Sequence, residues 1–198
     1  MLDKDGTLLE NVPYNVDPAL MRLAPGAERG IPRLAQAGFR LAVVSNQPGV
    51  ALGHFPEAAL KQVEARLEEL LAGLGATLAG FHYCPHHPEG VVPEYSVCCG
   101  CRKPAPGLIE RAAREAGVSS RGSWLVGDIL DDVEAGSRAG CTTILLDNGN
   151  ETEWVITPPR RPDYIVRDLD EAAELIVASP GAVAGTSAPP VMGAVRSR

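Results

Sequence analysis

The stretch Met1-Leu2-Asp3-Lys4-Asp5-Gly6-Thr7-Leu8 sets two carboxylates two positions apart, with a glycine and a hydroxyl directly behind them. Carboxylates at that spacing repel each other, so a fold that aims both at one spot has a cation or a proton to share there. Gly6 lets the backbone turn away sharply, and Thr7 offers a hydroxyl beside the turn. The pattern suits metal-assisted phosphoryl transfer, in which one carboxylate attacks phosphorus and the other handles the proton. A polar Asp-Gly turn without chemistry is the plainer alternative. What separates the two lies downstream.

Three further polar clusters fall where strands are expected to end: Ser45-Asn46, Arg102-Lys103-Pro104, and Gly127-Asp128 through Asp132. A phosphate monoester is a dianion, and a carboxylate nucleophile meets repulsion unless that charge is neutralised. Mg²⁺, held by a few oxygens and several waters, does this. Asp3, Asp128 and the Asp5 main-chain carbonyl are the expected Mg²⁺ ligands. Lys103 is a point charge for the phosphate, and the Ser45 hydroxyl with the Asn46 amide can bind its oxygens. Singly, these read as a surface lysine, a strand-end turn, or a helix start charged to suit its dipole. Together and in this order they are hard to obtain by chance.

Positioning such groups at one end of a sheet requires strands that alternate with helices. Asp3 should close a first strand, yet only Met1 and Leu2 precede it, where a buried central strand spans about five residues. The expectation is that the native product starts upstream. Residues 9–25 read as irregular, with Pro13, Pro18 and Pro25 as breakers. A helix is expected over 26–37, a strand over 39–45, and a helix from Pro56 to about Ala72 with Leu60, Val63, Leu67, Leu70 and Leu71 on its core face. Strands over 80–83, 123–127, 142–146 and 164–166 alternate with helices over 107–116 and 131–138. A final helix should start from a capping box of Asp168 with Glu171 and run to about Ala178. This alternation predicts an α/β fold with a doubly wound, Rossmann-like parallel sheet, whose ligands bind at the carboxyl ends of the strands. The domain should cover 1–178, and 179–198, rich in Ala, Gly, Pro and Ser, should be a disordered tail.

The loop between Tyr83 and Arg102 carries Cys84-Pro85-His86-His87 and Cys98-Cys99-Gly100-Cys101. Cys84, His86, Cys99 and Cys101 form a closed Cys₃His set suited to tetrahedral Zn²⁺, structural because four protein ligands leave no open position. Disulfides or buried free cysteines are the alternatives, and Cys98 and His87 remain competing ligands. A loop with so little core of its own needs the metal to hold it folded.

Net charge is −7 with a pI near 5.1, which favours neither nucleic acid nor an anionic membrane as partner. No apolar run approaches a transmembrane helix and no charged-then-apolar leader precedes the first motif, so the cytoplasm is the expected compartment. A small phosphorylated molecule is the expected partner, and a monomer the default state.

In motif order the chain resembles the haloacid dehalogenase-like phosphohydrolases along residues 1–178. Leu2-Asp3-Lys4-Asp5-Gly6-Thr7, Val44-Ser45-Asn46-Gln47, Arg102-Lys103-Pro104 and Gly127-Asp128 through Asp132 match the four motifs of that family. The resemblance implies that Asp3 forms an aspartyl-phosphate, Asp5 is the acid/base, Ser45 and Lys103 take the phosphate, and Asp128 ligates Mg²⁺. The cysteine loop and the run Asn46-Gln47-Pro48-Gly49-Val50-Ala51 resemble the family of D-glycero-D-manno-heptose 1,7-bisphosphate phosphatases, with the related histidinol-phosphate phosphatases next. The implied activity is hydrolysis of a small sugar phosphate, with Arg102 helping to bind the substrate. Neither gap between motifs has room for a sizeable cap domain, so the fold should be capless, with the zinc loop walling the site. Two positions depart from the family pattern: Ile129 stands where Lys is frequent, and Leu52 where Arg is frequent. A catalytically inactive phosphate-binding or zinc-loop interaction module is the reading from another class. A pure binder gains nothing from Asp5.

Overall fold

Leu2 is the hinge of the sheet. In the computed structural model, which describes residues 1–179, its N–H donates to the Ala42 carbonyl at 2.9 Å, and its carbonyl accepts the Val44 N–H at 2.9 Å. On the other side, Val126 N–H donates to the Met1 carbonyl at 3.1 Å and Asp3 N–H to the Val126 carbonyl at 2.9 Å. The N-terminal segment thus lies between β1 (Leu41–Asn46) and β3 (Trp124–Gly127), parallel to both. Beyond β1 lies β2 (Leu78–Cys84), and beyond β3 lie β4 (Thr142–Leu146) and β5 (Tyr164–Val166), every pairing parallel. The order is β2-β1-N-terminal segment-β3-β4-β5. Successive crossovers run outward one way from the N-terminal segment and then the other, so the switch point falls between that segment and β3. Ligand crevices of open α/β sheets form at such a point.

Side-chain alternation sorts the helices into two layers. Leu2, Val43, Val126 and Ile144 share one core with α1 (Ala27–Gln36), α2 (Leu60–Gly73) and α5 (Leu169–Ala178). Val44, Leu125 and Leu145 face the other way, toward α3 (Gly107–Glu115) and α4 (Leu130–Ala139). Val43 and Val44 are consecutive and both fully buried, which only a sheet covered on both faces allows. Each such side chain contributes about 1.5–3 kcal/mol. The expected doubly wound sheet is therefore present.

Most element boundaries fall within two residues of those expected, with three differences. The segment 9–25 is not wholly irregular: Leu9 bridges Leu23, and Pro18–Leu20 form a short 3₁₀ turn capped by Asp17. On α2, Leu60, Val63, Leu67 and Leu71 are buried and Leu70 only half-buried. The box at α5 is half formed: Asp168 accepts from the N–H groups of Asp170 and Glu171, but Glu171 reaches to the Arg167 N–H instead of the Asp168 N–H. The expected tail beyond 179 lies outside the described residues. Among those residues, no helix is long and apolar enough to cross a membrane.

Candidate active site

Asp3 ends the N-terminal segment and Asp128 follows β3, so the switch point itself brings the two carboxylates together. Asp132 joins them from the first turn of α4, and oxygens of all three lie within 4.8 Å of one another. All three residues are buried. Lys103, also buried, enters this cluster from the loop before α3. Its Nζ lies 2.5 Å from Asp3 Oδ1 and 2.5 Å from Asp132 Oδ1, and donates to the Val44 carbonyl at 3.0 Å. Burial works against its charge, but Asp132 and Asp3 more than offset that and hold the ammonium above its ordinary pKa.

One ammonium does not balance three carboxylates. Burial first, then the charges of Asp3 and Asp132, push the Asp128 carboxyl up to about 8. Burial and Asp3 push Asp132 up to about 6 against the pull of Lys103. Asp132 Oδ1 and Asp3 Oδ1 share the one Lys103 ammonium, each at 2.5 Å. Three buried carboxylates facing a single ammonium form a dense set of hard oxygens with negative charge in excess, which suits a small divalent cation. The residues present therefore fit the metal expected here, with Asp132 as a third carboxylate that the ligand set read from sequence did not include.

The Asp5 carboxylate does not join this group. Lys4 Nζ lies 2.6 Å from its Oδ1, and Gln47 Nε2 donates to its Oδ2 at 3.2 Å and to Ser45 Oγ at 2.8 Å. Burial raises the Asp5 pKa, Lys4 opposing. A carboxyl raised in this way and held at both oxygens is suited to donate and recover a proton. Lys4 itself is almost fully buried, which the sequence did not suggest.

The Asn46 side chain is committed elsewhere. Its Nδ2 donates to the Lys103 carbonyl at 3.0 Å, and its Oδ1 accepts the Lys103 N–H at 3.0 Å. Asn46 thereby fixes the loop that delivers Lys103. Val44 N–H goes to Leu2 and Gln47 N–H to Cys84, so strand alternation turns the Asn46 N–H toward the N-terminal segment. The side chain being engaged, the main-chain N–H is the donor Asn46 has left for an anion.

Gly6 has φ +84°, and a Cβ there would lie 2.1 Å from Asp128 Oδ2. Only glycine allows the turn after Asp5 to pass so close to the cluster. Thr7 Oγ1 donates to Asp128 Oδ1 at 3.1 Å. Sequence reading missed Gln47, Asn148 and Asn150 as site residues. Asn148 Nδ2 donates to the Gly6 carbonyl at 2.7 Å and Asn150 Nδ2 to Asp128 Oδ2 at 2.8 Å. The available signal was a polar Asp147-Asn148-Gly149-Asn150 run directly after a predicted strand, at the end of the sheet where ligands bind.

The cysteine loop stands beside this site, following β2. Cys84, His86, Cys99 and Cys101 converge, with Sγ–Sγ separations of 3.3–3.5 Å and Sγ–Nδ1 separations of 3.4 and 3.6 Å. A tetrahedral zinc with Zn–S near 2.3 Å has S–S edges of about 3.8 Å and shorter S–N edges, so the four atoms are close to the expected cage. Cys98 is exposed and outside the cluster, and His87 Nδ1 accepts the Glu89 N–H. The loop is fastened to the start of the α2 region by Glu57, which accepts from Tyr83 Oη at 3.1 Å and Tyr95 Oη at 2.8 Å. Arg102 donates to the His86 carbonyl at 3.4 Å.

A family model described as HAD-hydrolase-like matches residues 100–172. The D-glycero-beta-D-manno-heptose-1,7-bisphosphate 7-phosphatase of Pseudomonas aeruginosa is 33% identical over 178 residues, covering 89% of this chain and 96% of its own length. The Escherichia coli protein of the same name is 34% identical over 164 residues, covering 78% of this chain and 86% of its own. Among solved structures, D,D-heptose 1,7-bisphosphate phosphatase from B. bronchiseptica, complexed with magnesium and phosphate, matches with a TM-score of 0.75 at 31% identity, covering 89% of this chain and 96% of that one. The doubly wound fold and these likenesses make the chain a HAD-like phosphoric monoester hydrolase, a phosphatase. It belongs to the family of the D-glycero-beta-D-manno-heptose-1,7-bisphosphate 7-phosphatases.

Proposed function

We propose that the chain removes the 7-phosphate from D-glycero-D-manno-heptose 1,7-bisphosphate through a phospho-Asp3 intermediate, with Mg²⁺ in the carboxylate cluster and Zn²⁺ in the cysteine loop. The observation that carries this reading is Asp3 at the switch point, 2.5 Å from Lys103 and within 4.8 Å of Asp128 and Asp132. The names of the relatives support the choice of sugar. Asp3, Asp128 and the Asp5 main-chain carbonyl would hold Mg²⁺, with Asp132 beside them in the same cluster, and the metal when bound neutralises the charge of the phosphate dianion. Asp3 attacks phosphorus, forming an acyl phosphate as the ester P–O bond breaks. Asp5 gives its proton to the departing sugar oxygen. It then recovers a proton from the water that attacks the phosphorus of phospho-Asp3, and inorganic phosphate leaves. Lys103, the Ser45 hydroxyl and the Asn46 N–H bind the phosphoryl oxygens, while Gln47 holds Asp5 and Ser45 in register. Acid quench during turnover followed by peptide mapping is expected to find phosphate on Asp3. Phosphate on another residue, or none at any quench time, would overturn the covalent route.

Zinc held by Cys84, His86, Cys99 and Cys101 would be structural, since four protein ligands fill a tetrahedron. Elemental analysis is expected to find about one zinc per chain on that ligand count. Cys99→Ser should lose the metal and lower the melting temperature. Full zinc occupancy in that variant would bring the neighbouring Cys98 in as the ligand.

Arg102 has one guanidinium nitrogen on the His86 carbonyl and further donors free for substrate. A charge-assisted hydrogen bond is worth about 1.5–3 kcal/mol. Arg102→Ala should therefore cost roughly 10- to 150-fold in kcat/KM on the sugar bisphosphate, and much less on an aryl phosphate. Equal losses on both, with a lower melting temperature, would make Arg102 a brace of the zinc loop only.

A further inference from the structure

The loop leaving β4 reaches three separate parts of the site with three nearby side chains. Asn150 Nδ2 donates to Asp128 Oδ2 at 2.8 Å, and Asn148 Nδ2 donates to the Gly6 carbonyl at 2.7 Å. Glu151 Oε2 accepts the Leu130 N–H at 2.6 Å. The last bond answers a gap in α4, whose leading residue Ile129 has no side-chain acceptor for the helix's first N–H groups. The same carboxylate also accepts the Glu153 N–H at 2.7 Å, which closes the loop on itself.

Asp128 is consequently held at both oxygens, Oδ1 by Thr7 and Oδ2 by Asn150. Each carboxylate oxygen carries two lone pairs. One donor on each leaves one on each for a cation, with the plane of the carboxylate fixed. The donor at Oδ2 is neutral, so it orients the ligand without adding a positive charge that would compete with the metal. Contact is close: a Cβ on Gly6 would lie 2.5 Å from Asn150 Nδ2, so this amide sits against both the nucleophile turn and the metal carboxylate.

We propose that Asn150 is a positioning residue for the divalent-cation site, aiming Asp128 at the metal, and that Asn148 and Glu151 clamp its loop to the nucleophile turn and to α4. This rests on the reading of Asp3, Asp128 and Asp132 as the cation site. Partners that orient metal ligands typically account for about 10- to 100-fold in metal affinity. Mn²⁺ titrated into the full-length protein without substrate, followed by its EPR signal, reads that affinity directly. Asn150→Ala is expected to raise the Mn²⁺ Kd by about 10- to 100-fold with the melting temperature in EDTA unchanged. At saturating Mg²⁺, KM for the sugar phosphate should stay at the wild-type value. An unchanged Kd, or a raised Kd accompanied by a lower melting temperature in EDTA, would overturn the assignment and leave Asn150 a packing residue. Should Asn150→Ala not fold, Glu151→Ala carries the test, because it releases the loop from α4 with the amide intact. About a tenfold rise in Kd then supports the clamp, and no rise overturns it. Failure of the wild-type protein to bind Mn²⁺ at all would instead overturn the underlying reading of the carboxylate cluster.

Discussion

Asp3→Asn loses at least about 10⁴-fold in kcat, the scale on which removing a nucleophile is felt, while the protein stays folded. Phosphate monoester hydrolysis is among the slowest uncatalysed reactions, with enzymatic accelerations up to about 10²¹-fold, so there is far to fall. An amide at this position keeps the shape and can still touch Lys103, but it cannot form the acyl phosphate. The fold should survive because Lys103 retains Asp132 at 2.5 Å and the Val44 carbonyl at 3.0 Å, and because the repulsion between Asp3 and Asp128 is relieved. Asp5→Asn should do nearly as much damage, since the leaving sugar oxygen then lacks its proton donor. Steady-state kinetics with a far-ultraviolet melt checks both. Retention of more than about a tenth of kcat in Asp3→Asn, set against the loss expected from a nucleophile, would sink the covalent mechanism.

Lys103→Met is expected to be damaging in two ways that can be separated. It leaves Asp3 and Asp132 buried without their cation, and removing one partner of a buried ion pair costs about 3–5 kcal/mol. It also removes the charge that meets the phosphate, so kcat/KM should fall by about 10²-fold or more, on the scale of losing a preorganised charge at a transition state. Urea unfolding measures the first loss and kinetics the second. Adding Asp132→Asn to Lys103→Met should recover stability, because one uncompensated carboxylate is gone, yet leave activity low. Recovery of activity in the double variant would show that Lys103 serves only to balance charge.

The alternation of strands and helices was legible because it is written in local periodicity: consecutive Val43 and Val44 announce a strand buried on both faces, and Leu60, Val63, Leu67 and Leu71 announce a helix stripe. The gathering of Asp3 and Asp128 was legible too, since each ends or follows a strand and parallel strands end on the same side, whereas Lys103 was legible only from its Arg-Lys-Pro run ahead of a helix. The convergence of Cys84, His86, Cys99 and Cys101 could be read from spacing because a tetrahedral metal site demands four ligands at short range. What the sequence withheld depends on register across long separations. Asn150 meets Asp128 and Asn148 meets Gly6 only because β4 ends level with β3 and the N-terminal segment, and nothing in an Asn-Gly-Asn run says which carbonyl lies opposite. Likewise, Asn46 beside Ser45 invited a shared role on the phosphate. Its side chain instead holds the Lys103 backbone across a sequence separation of 57. The pairing of Leu2 with strands on both sides, to Ala42 and Val44 on one and through its neighbours to Val126 on the other, also depends on register across long separations.

The central claim is tested most directly by phosphorus NMR of the purified protein mixed with D-glycero-D-manno-heptose 1,7-bisphosphate and Mg²⁺, with histidinol phosphate run in parallel. The account predicts that the 7-phosphate resonance is replaced by that of inorganic phosphate while the 1-phosphate resonance persists. EDTA should stop the reaction, and histidinol phosphate should be turned over far more slowly. Release of the 1-phosphate, or turnover of histidinol phosphate with the heptose bisphosphate left intact, would contradict it.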